Sequence, residues 1–290
     1  MFSNATCLVC ENLELRFMYV AKGYEIVCCD RCGFCQVAKP PADGELERLY
    51  ANLHISHTKF RDEQAALREN LTRLRFMQEF VAPGGVILDA GCATGDFLAL
   101  AKSHYTTYGV DISSGAIEQA KARLPDIAEH LASLKLESIN VEWPKFDAIS
   151  LWDVIEHVRD PVSVCRTLIG RLNPGGYLFL STPNMGALTA KVMKQHWAFM
   201  IPPLHLGYFS ERSFAYLFTK QLPARILTFR TRGKWTSLAF LFYKINQISR
   251  WLAPPALLDW LSRSRLGRLK LYIPTNDIIY LVAEKSEQQR

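Results

Sequence analysis

No apolar run in the 290-residue chain approaches the roughly 20 residues needed to cross a bilayer as a helix, so such spans are not expected. The first twenty residues scatter Cys7, Cys10, Glu11, Glu14 and Arg16 among apolar positions, which is not the pattern of a secretory signal. A cytoplasmic location is expected, with a peripheral position on the inner face of the membrane left open. A Gly-Lys-Ser/Thr element is missing, which excludes a P-loop built to cradle phosphates. Internal repeats and low-complexity tracts are absent too. Cysteine is scarce beyond the amino terminus: six of the eight lie in the first 35 residues. With no export signal, that cluster is read as metal ligands rather than disulfides. Composition is otherwise ordinary, at 49% hydrophobic and 21% charged, and fits one large domain plus a small one.

The amino-terminal pattern is Cys7-x-x-Cys10, eighteen intervening residues, then Cys29-x-x-Cys32-Gly33. Two such knuckles can set four thiolates tetrahedrally around one structural Zn²⁺, and Gly33 suits the tight turn after the second pair. A segment this short buries too little to fold alone, so the metal would supply much of its stability. Whether Cys28 and Cys35 also bind metal stays open, since Cys29, Cys32 and Cys35 repeat at intervals of three. An iron–sulfur cluster or a metal-free ribbon are the alternatives. Residues 1–39 are thus expected to be a zinc ribbon, 40–82 a helical linker and 83–290 the main domain. In the linker, GELERLYANL and RDEQAALRENLTRLRFMQEF have helical spacing, with Leu67, Leu71, Leu74 and Met77 on one face. His54, His57, His104, His130 and His196 are read as ordinary polar residues, although His54 and His57 lie near enough to the ribbon to substitute as ligands.

The most informative stretch is Val86–Ala101, VILDAGCATGDFLALA. A buried strand ends at Asp89. Gly91, Ala93 and Gly95 then permit a tight turn and a close approach of main chain to a flat ligand, and a helix starts. Sixteen residues after Gly95, a second strand ends in Asp111, placed to accept hydrogen bonds from vicinal ribose hydroxyls. The spacing lacks the third glycine of a dinucleotide fingerprint, and no cation lies in the loop, which disfavours a pyrophosphate. Asp89 suits an ammonium group. A ligand with a ribose and an amino-acid ammonium but no phosphate is S-adenosylmethionine. Strands are expected at Val86–Asp89, Tyr108–Val110, near Ala128–Leu131, Asp147–Trp152 and Tyr177–Ser181, with helices from Gly95, at Ser113–Arg123 and at Pro161–Arg171. Asn173–Gly176 reads as a turn and Ser210 as a helix cap. The last strands fall at Ala224–Thr231 and Asp277–Glu284. Alternating strands and helices imply an α/β, Rossmann-like, mostly parallel sheet of seven strands flanked by helices, with ligands at the carboxyl ends of its strands.

Four segments in this order, LDAGCATGDFL, YGVDIS, FDAISLWDVIEHVRDP and LNPGGYLFLSTPN, resemble those of the class I S-adenosylmethionine-dependent methyltransferases. Ala93 departs from the commoner glycine. GYEIVCCDRCGFCQVAKPPADGELERLY and PPLHLGYFSERSF extend the similarity to bacterial members with an amino-terminal ribbon, whose roles are unassigned or in cell-surface biosynthesis. The resemblance implies a cofactor site of Asp89, Gly91, Cys92, Ala93, Gly95, Asp111 and Ile112, with Ser133 and Leu134 bordering the adenine and Trp152 lining the site or serving as core.

Methyl transfer from a sulfonium needs an aligned nucleophile and, for a hydroxyl, removal of its proton. Asp153, Glu156 and His157 form a D-x-x-E-H run that would share a helix face, able to bind a divalent cation or poise an imidazole. It resembles the E-x-x-E-H run of ubiquinone-pathway O-methyltransferases; bracing against Arg159 and Asp160 is the structural alternative. His205, in a Pro-Pro-Leu-His loop, is the other candidate base. Net charge is +6, yet residues 230–272 carry nine Lys/Arg against only Asp259, together with Trp235, Trp251 and Trp260. This basic amphipathic insertion, at about 232–273, reads as a lid over the acceptor, a membrane-interface contact or a nucleic-acid contact. The expected reaction is O-methylation of a small or lipid-linked acceptor such as a glycolipid or quinone precursor. An RNA base methyltransferase is the rival, although the ribbon is not basic and nucleic acid is not expected. A non-catalytic S-adenosylmethionine-binding protein is the rival from another class. Oligomeric state is not legible.

Overall fold

The computed structural model describes residues 2–3, 5–42, 44–46, 63–139, 142–248, 251 and 253–286. Most of the expected first linker helix, together with His54, His57 and Arg250, lies outside them.

Four antiparallel strands open the chain: β1 (Phe2–Ser3), β2 (Leu15–Ala21), β3 (Tyr24–Cys29) and β4 (Cys35–Val37). Helix α1 (Glu63–Gln78) follows. Its buried side carries Asn70, Leu74 and Met77, whereas Leu67, expected on the apolar face, is half exposed. Phe76 explains the rotation: its ring packs against Phe179 and Tyr280 at 5.6 Å each, and this turns Arg73 inward as well.

The main domain then alternates β5 (Val86–Ala90), α2 (Asp96–Ala101), β6 (Thr106–Asp111), α3 (Ser114–Arg123), β7 (Leu131–Ser133), β8 (Phe146–Trp152), α4 (Pro161–Arg171) and β9 (Leu172–Pro183). β5 and β8 are covered on both faces, which is why they read as near-continuous apolar runs. β7 begins three residues later than the expected Ala128–Leu131 strand, because Pro125 starts a 3₁₀ turn that occupies the chain to His130. Asn173–Gly176 lies inside β9 rather than before it. Leu172 pairs with Phe146 and Tyr177 with Ala148, so the intervening residues bulge out, with Gly175 at φ +70°.

Helix α5 (Leu188–Met193), β10 (Gly207–Tyr208), α6 (Glu211–Lys220), β11 (Ala224–Ser237), α7 (Leu238–Ile248), α8 (Pro255–Arg263) and β12 (Lys270–Lys285) complete the chain. Ser210 caps α6, accepting from the Ser213 amide, and Ser213 returns the bond to the Ser210 amide. The large sheet has order β11-β12-β9-β8-β5-β6-β7, parallel except for β12, which pairs antiparallel with both β9 and β11. Strand order reverses beside β5, and the loops after β5 and β8 open there. β11 and β12 run beyond the expected limits. Their pairing continues from Arg232–Ile278 out to Ser237–Lys270, so the insertion is a two-stranded arm carrying α7 and α8. β10, in turn, adds to the edge of β4, so the amino-terminal sheet borrows its last strand from the loop that holds His205.

Candidate cofactor and acceptor site

The turn after β5 needs left-handed backbone at three positions: Gly91 (φ +87°), Ala93 (φ +46°) and Gly95 (φ +77°). A Cβ on Gly91 would stand 2.4 Å from Cγ2 of Val154, so the loop after β8 seats directly on this glycine. The Gly91 and Cys92 amides donate to the Val110 carbonyl at 2.7 and 2.9 Å, pinning the turn to β6. Cys92 itself points into the core beside Leu98 and Ile117, and burial raises its thiol, so of this expected cofactor residue only the main chain faces the loop.

Asp111 ends β6 and is half-buried. Its Oδ2 accepts from the Ala93 amide and its Oδ1 from the Ser113 amide, both at 2.9 Å. A carboxylate has about four acceptor directions, so capacity remains for a diol. The adjoining Ile112 is 60% exposed, an apolar plate beside the carboxylate. Ser133 is paired to Asp111 across β6 and β7, and the Leu134 amide donates to the Asp111 carbonyl at 3.0 Å.

Asp89 is buried on β5 and accepts from Ser150 Oγ at 2.7 Å. Burial pushes its carboxyl up to about 7, against the pull of Ser150 and the Arg73 charge. Arg73 is the residue that sequence reasoning missed. Its guanidinium pairs with Asp153, lies over the Trp152 ring at 5.6 Å and sits one turn from Glu69, which accepts from the Tyr280 hydroxyl. Its charge acts on both Asp89 and Glu156. Among the described residues, neither buried Arg73 Nε nor Trp152 Nε1 makes a hydrogen bond, although Arg73 Nε lies 3.9 Å from Glu69. The only trace in the sequence was a cation set into an apolar helix face. Trp152 also packs on Phe97 and Tyr280, which makes it part of the core.

The D-x-x-E-H run does not converge as expected. Asp153 takes φ +57°, and the chain continues as a single 3₁₀ turn, Ile155–His157, so offsets of three and four no longer share a face. Asp153 is held instead by Arg73 and by Ser181 Oγ at 2.8 Å. The third member comes from afar: Glu156, His157 and His205 present ligand atoms within 4.8 Å of one another. Each imidazole has its Nδ1 on a main-chain carbonyl, His157 on Leu204 at 2.8 Å and His205 on Phe199 at 2.9 Å. With Nδ1–H donated, both Nε2 atoms are lone-pair donors. Glu156 is buried and receives Thr182 Oγ1 at 2.9 Å. Burial raises its carboxyl and lowers both histidines, His205 to about 3, which makes His205 a poor general base by itself. Neutral imidazoles and a carboxylate are a donor set for a divalent cation.

In the amino-terminal sheet the buried sulfurs of Cys7, Cys10, Cys29 and Cys32 lie within 4.8 Å of one another. The closest pairs are Cys7–Cys32 at 3.5 Å and Cys10–Cys29 at 3.4 Å. Zn–S bonds of about 2.3 Å give a tetrahedral edge of about 3.8 Å, so this cluster fits zinc. Both knuckles turn alike. The Glu11 and Gly33 amides donate to the Cys7 and Cys29 carbonyls, and both residues have positive φ. The hydrogen bond from Cys32 holds the Cys7 thiol below its ordinary value. The remaining pair corrects the metal-only expectation: Cys28 and Cys35 are cross-strand partners on β3 and β4 and form a disulfide.

Residues 59–221, more than half of the chain, match the methyltransferase domain family. The chain belongs to that family, as a class I S-adenosylmethionine-dependent methyltransferase. Among curated relatives, a ubiquinone biosynthesis O-methyltransferase of Paracidovorax citrulli is 31% identical over 160 residues, 52% of this chain and 66% of that protein. One from Coxiella burnetii is 33% identical over 119 residues, 40% of this chain and 51% of its own length. The chain therefore spans between half and two thirds of these relatives. Of solved structures, an S-adenosylmethionine-dependent methyltransferase of Methanosarcina mazei superposes with a TM-score of 0.50 at 18% identity, covering 73% of this chain and 98% of that one. The YcgJ protein of Bacillus subtilis superposes with a TM-score of 0.51 at 16% identity, covering 74% and 98%. These two show the shared fold.

Proposed function

We propose that the chain transfers the methyl group of S-adenosylmethionine to an oxygen of a small or lipid-linked acceptor, such as a glycolipid or quinone precursor. One observation carries this reading. Asp111, Asp89 and the loop that carries Glu156 and His157 lie at the carboxyl ends of three adjacent parallel strands, with Arg73 paired to Asp153 at the start of that loop. Asp111 receives the ribose hydroxyls, Ile112, Ser133 and Leu134 border the adenine, and Asp89 with the Gly91–Gly95 main chain holds the ammonium end. Arg73, braced by Asp153, faces the carboxylate end beside Trp152. Glu156, His157 and His205 would hold a divalent cation, which supplies charge to acidify an acceptor hydroxyl. The Leu204 and Phe199 carbonyls fix the ring tautomers, and Thr182 fixes Glu156. The sulfonium already activates the methyl group, so alignment is the remaining requirement. In this reading residues 1–39 are a structural zinc ribbon, 40–82 a linker and 83–290 the catalytic domain. The relatives named for ubiquinone O-methylation support an oxygen acceptor.

The test is incubation with methyl-labelled cofactor and fractionated cell extract, with and without chelator and added Mg²⁺ or Mn²⁺. Label is expected in a lipid or glycolipid fraction, restored by the metal and lost in Glu156→Gln. Label in RNA, or binding without any transfer, overturns the reading.

A further inference from the structure

The arm formed by the outer halves of β11 and β12 stands on the active-site side of the molecule. Ile278 of β12 pairs with Pro183 at the carboxyl end of β9, the end from which the Asp153 loop also emerges, and pairing then continues outward to Lys270. The base of the arm is tied to the acceptor-side loop. Asn184 Nδ2 donates to the Asn276 carbonyl, and Trp197 Nε1 donates to buried Asp277 at 3.0 Å.

The tip is a firm platform. The amide of Leu238 at the start of α7 bonds the Leu269 carbonyl, and Asn246 Nδ2 bonds the Ala253 carbonyl. The turn at Gly267 lies so close on α8 that a Cβ there would be 1.9 Å from the Leu261 carbonyl oxygen. This platform turns large apolar groups outward: Trp251 is 87% exposed, Trp260 54%, Leu266 56% and Leu269 53%. Cations flank them. Arg263, Arg265 and Arg268 are all exposed, and Arg263 pairs with Asp259, the one acidic residue between positions 230 and 272. Among the described residues neither Arg265 nor Arg268 meets a carboxylate. At the base, by contrast, Arg230 is bound to Glu79 and Arg232 lies over the Tyr280 ring.

Exposed tryptophans and leucines alternating with cations match the chemistry of an anionic lipid surface, with aromatic rings at headgroup depth and guanidinium groups on lipid phosphates. We propose that this tip is a docking surface for an anionic bilayer and that docking sets the cofactor and acceptor rim against the membrane. The second clause rests on the lipid-linked acceptor reading; docking itself does not require turnover.

The full-length protein is sedimented with vesicles of phosphatidylcholine alone and of phosphatidylcholine containing about a quarter phosphatidylglycerol. Binding is expected only to the second, weakening as salt rises, with a blue shift of tryptophan emission. The triple variant Arg263→Glu/Arg265→Glu/Arg268→Glu should lose binding on the order of 100-fold, the attraction of three surface cations to an anionic leaflet. Trp251→Ser/Trp260→Ser should lose the blue shift and most of the binding. Unchanged thermal melting shows that both variants fold. Equal binding to both vesicles, no vesicle binding, RNA binding in its place, or a dimer that hides the tryptophans overturns the proposal. A protein that docks but transfers no methyl group refutes the functional reading alone.

Discussion

Asp89→Asn tests whether a buried carboxylate has been kept at a cost in stability for the sake of the cofactor. Burial raises Asp89 from the usual 3.8 to about 7. In the folded, ligand-free protein the group is neutral at pH 5, while in the unfolded chain it is ionised. Below 3.8 it is neutral in both states; above 7 it is ionised in both, and the folded state then bears the whole desolvation cost. Wild-type stability should therefore fall as pH rises from 5 to 8.5, by about 2–3 kcal/mol from this group at 1.36 kcal/mol for each pH interval crossed. Asparagine has the same size and can still accept from Ser150, but cannot ionise. Urea unfolding of both proteins across that range gives the stability difference, which should grow by that amount in favour of the variant. Titration calorimetry with adenosylhomocysteine should show the opposite trend. Wild-type affinity rises toward pH 8 as the carboxylate forms opposite the ligand ammonium, and the variant binds weakly with no such rise. A stability difference that is flat between pH 5 and 8.5, or a variant that binds like wild type, refutes the reasoning.

Ala93 occupies left-handed backbone that costs an alanine about 1–2 kcal/mol, so Ala93→Gly should stabilise the protein by roughly 0.5–1 kcal/mol in denaturant unfolding after the entropy of the freer unfolded chain is allowed for. Gly91→Ala should do the reverse: its methyl meets Val154 at 2.4 Å and φ +87° is strained, so a loss of about 2–3 kcal/mol and weaker cofactor binding are expected. Asp111→Ala should abolish adenosylhomocysteine binding in calorimetry. Because it also orphans the Ala93 and Ser113 amides, it should cost about 1–3 kcal/mol of stability. Cys29→Ser/Cys32→Ser should release one zinc per chain in a metal-indicator assay and expose β4 and β10 to hydrogen exchange; no zinc in the wild type would refute the ribbon.

Short-range chemistry wrote much of this protein into its sequence. The apolar runs at Val86–Ala90 and Phe146–Trp152, the glycine spacing from Gly91 to Gly95, Asp111 at a strand end, the Ser210 cap and the paired CxxC knuckles each act within one or two turns of chain. Periodicity, backbone freedom and ligand spacing are local properties, so they could be read there. Tertiary structure decided what depends on distant segments meeting. It brought His205 to Glu156 and His157, turned Arg73 inward against Asp153 once Phe76 had found Phe179 and Tyr280, and gave Gly207–Tyr208 to the edge of the ribbon sheet. It also paired Cys28 with Cys35 beside a four-thiol cluster and lengthened β11 and β12 into an arm. None of these follows from spacing, because each is fixed by which surfaces can be buried together, and that is a property of the whole packed chain.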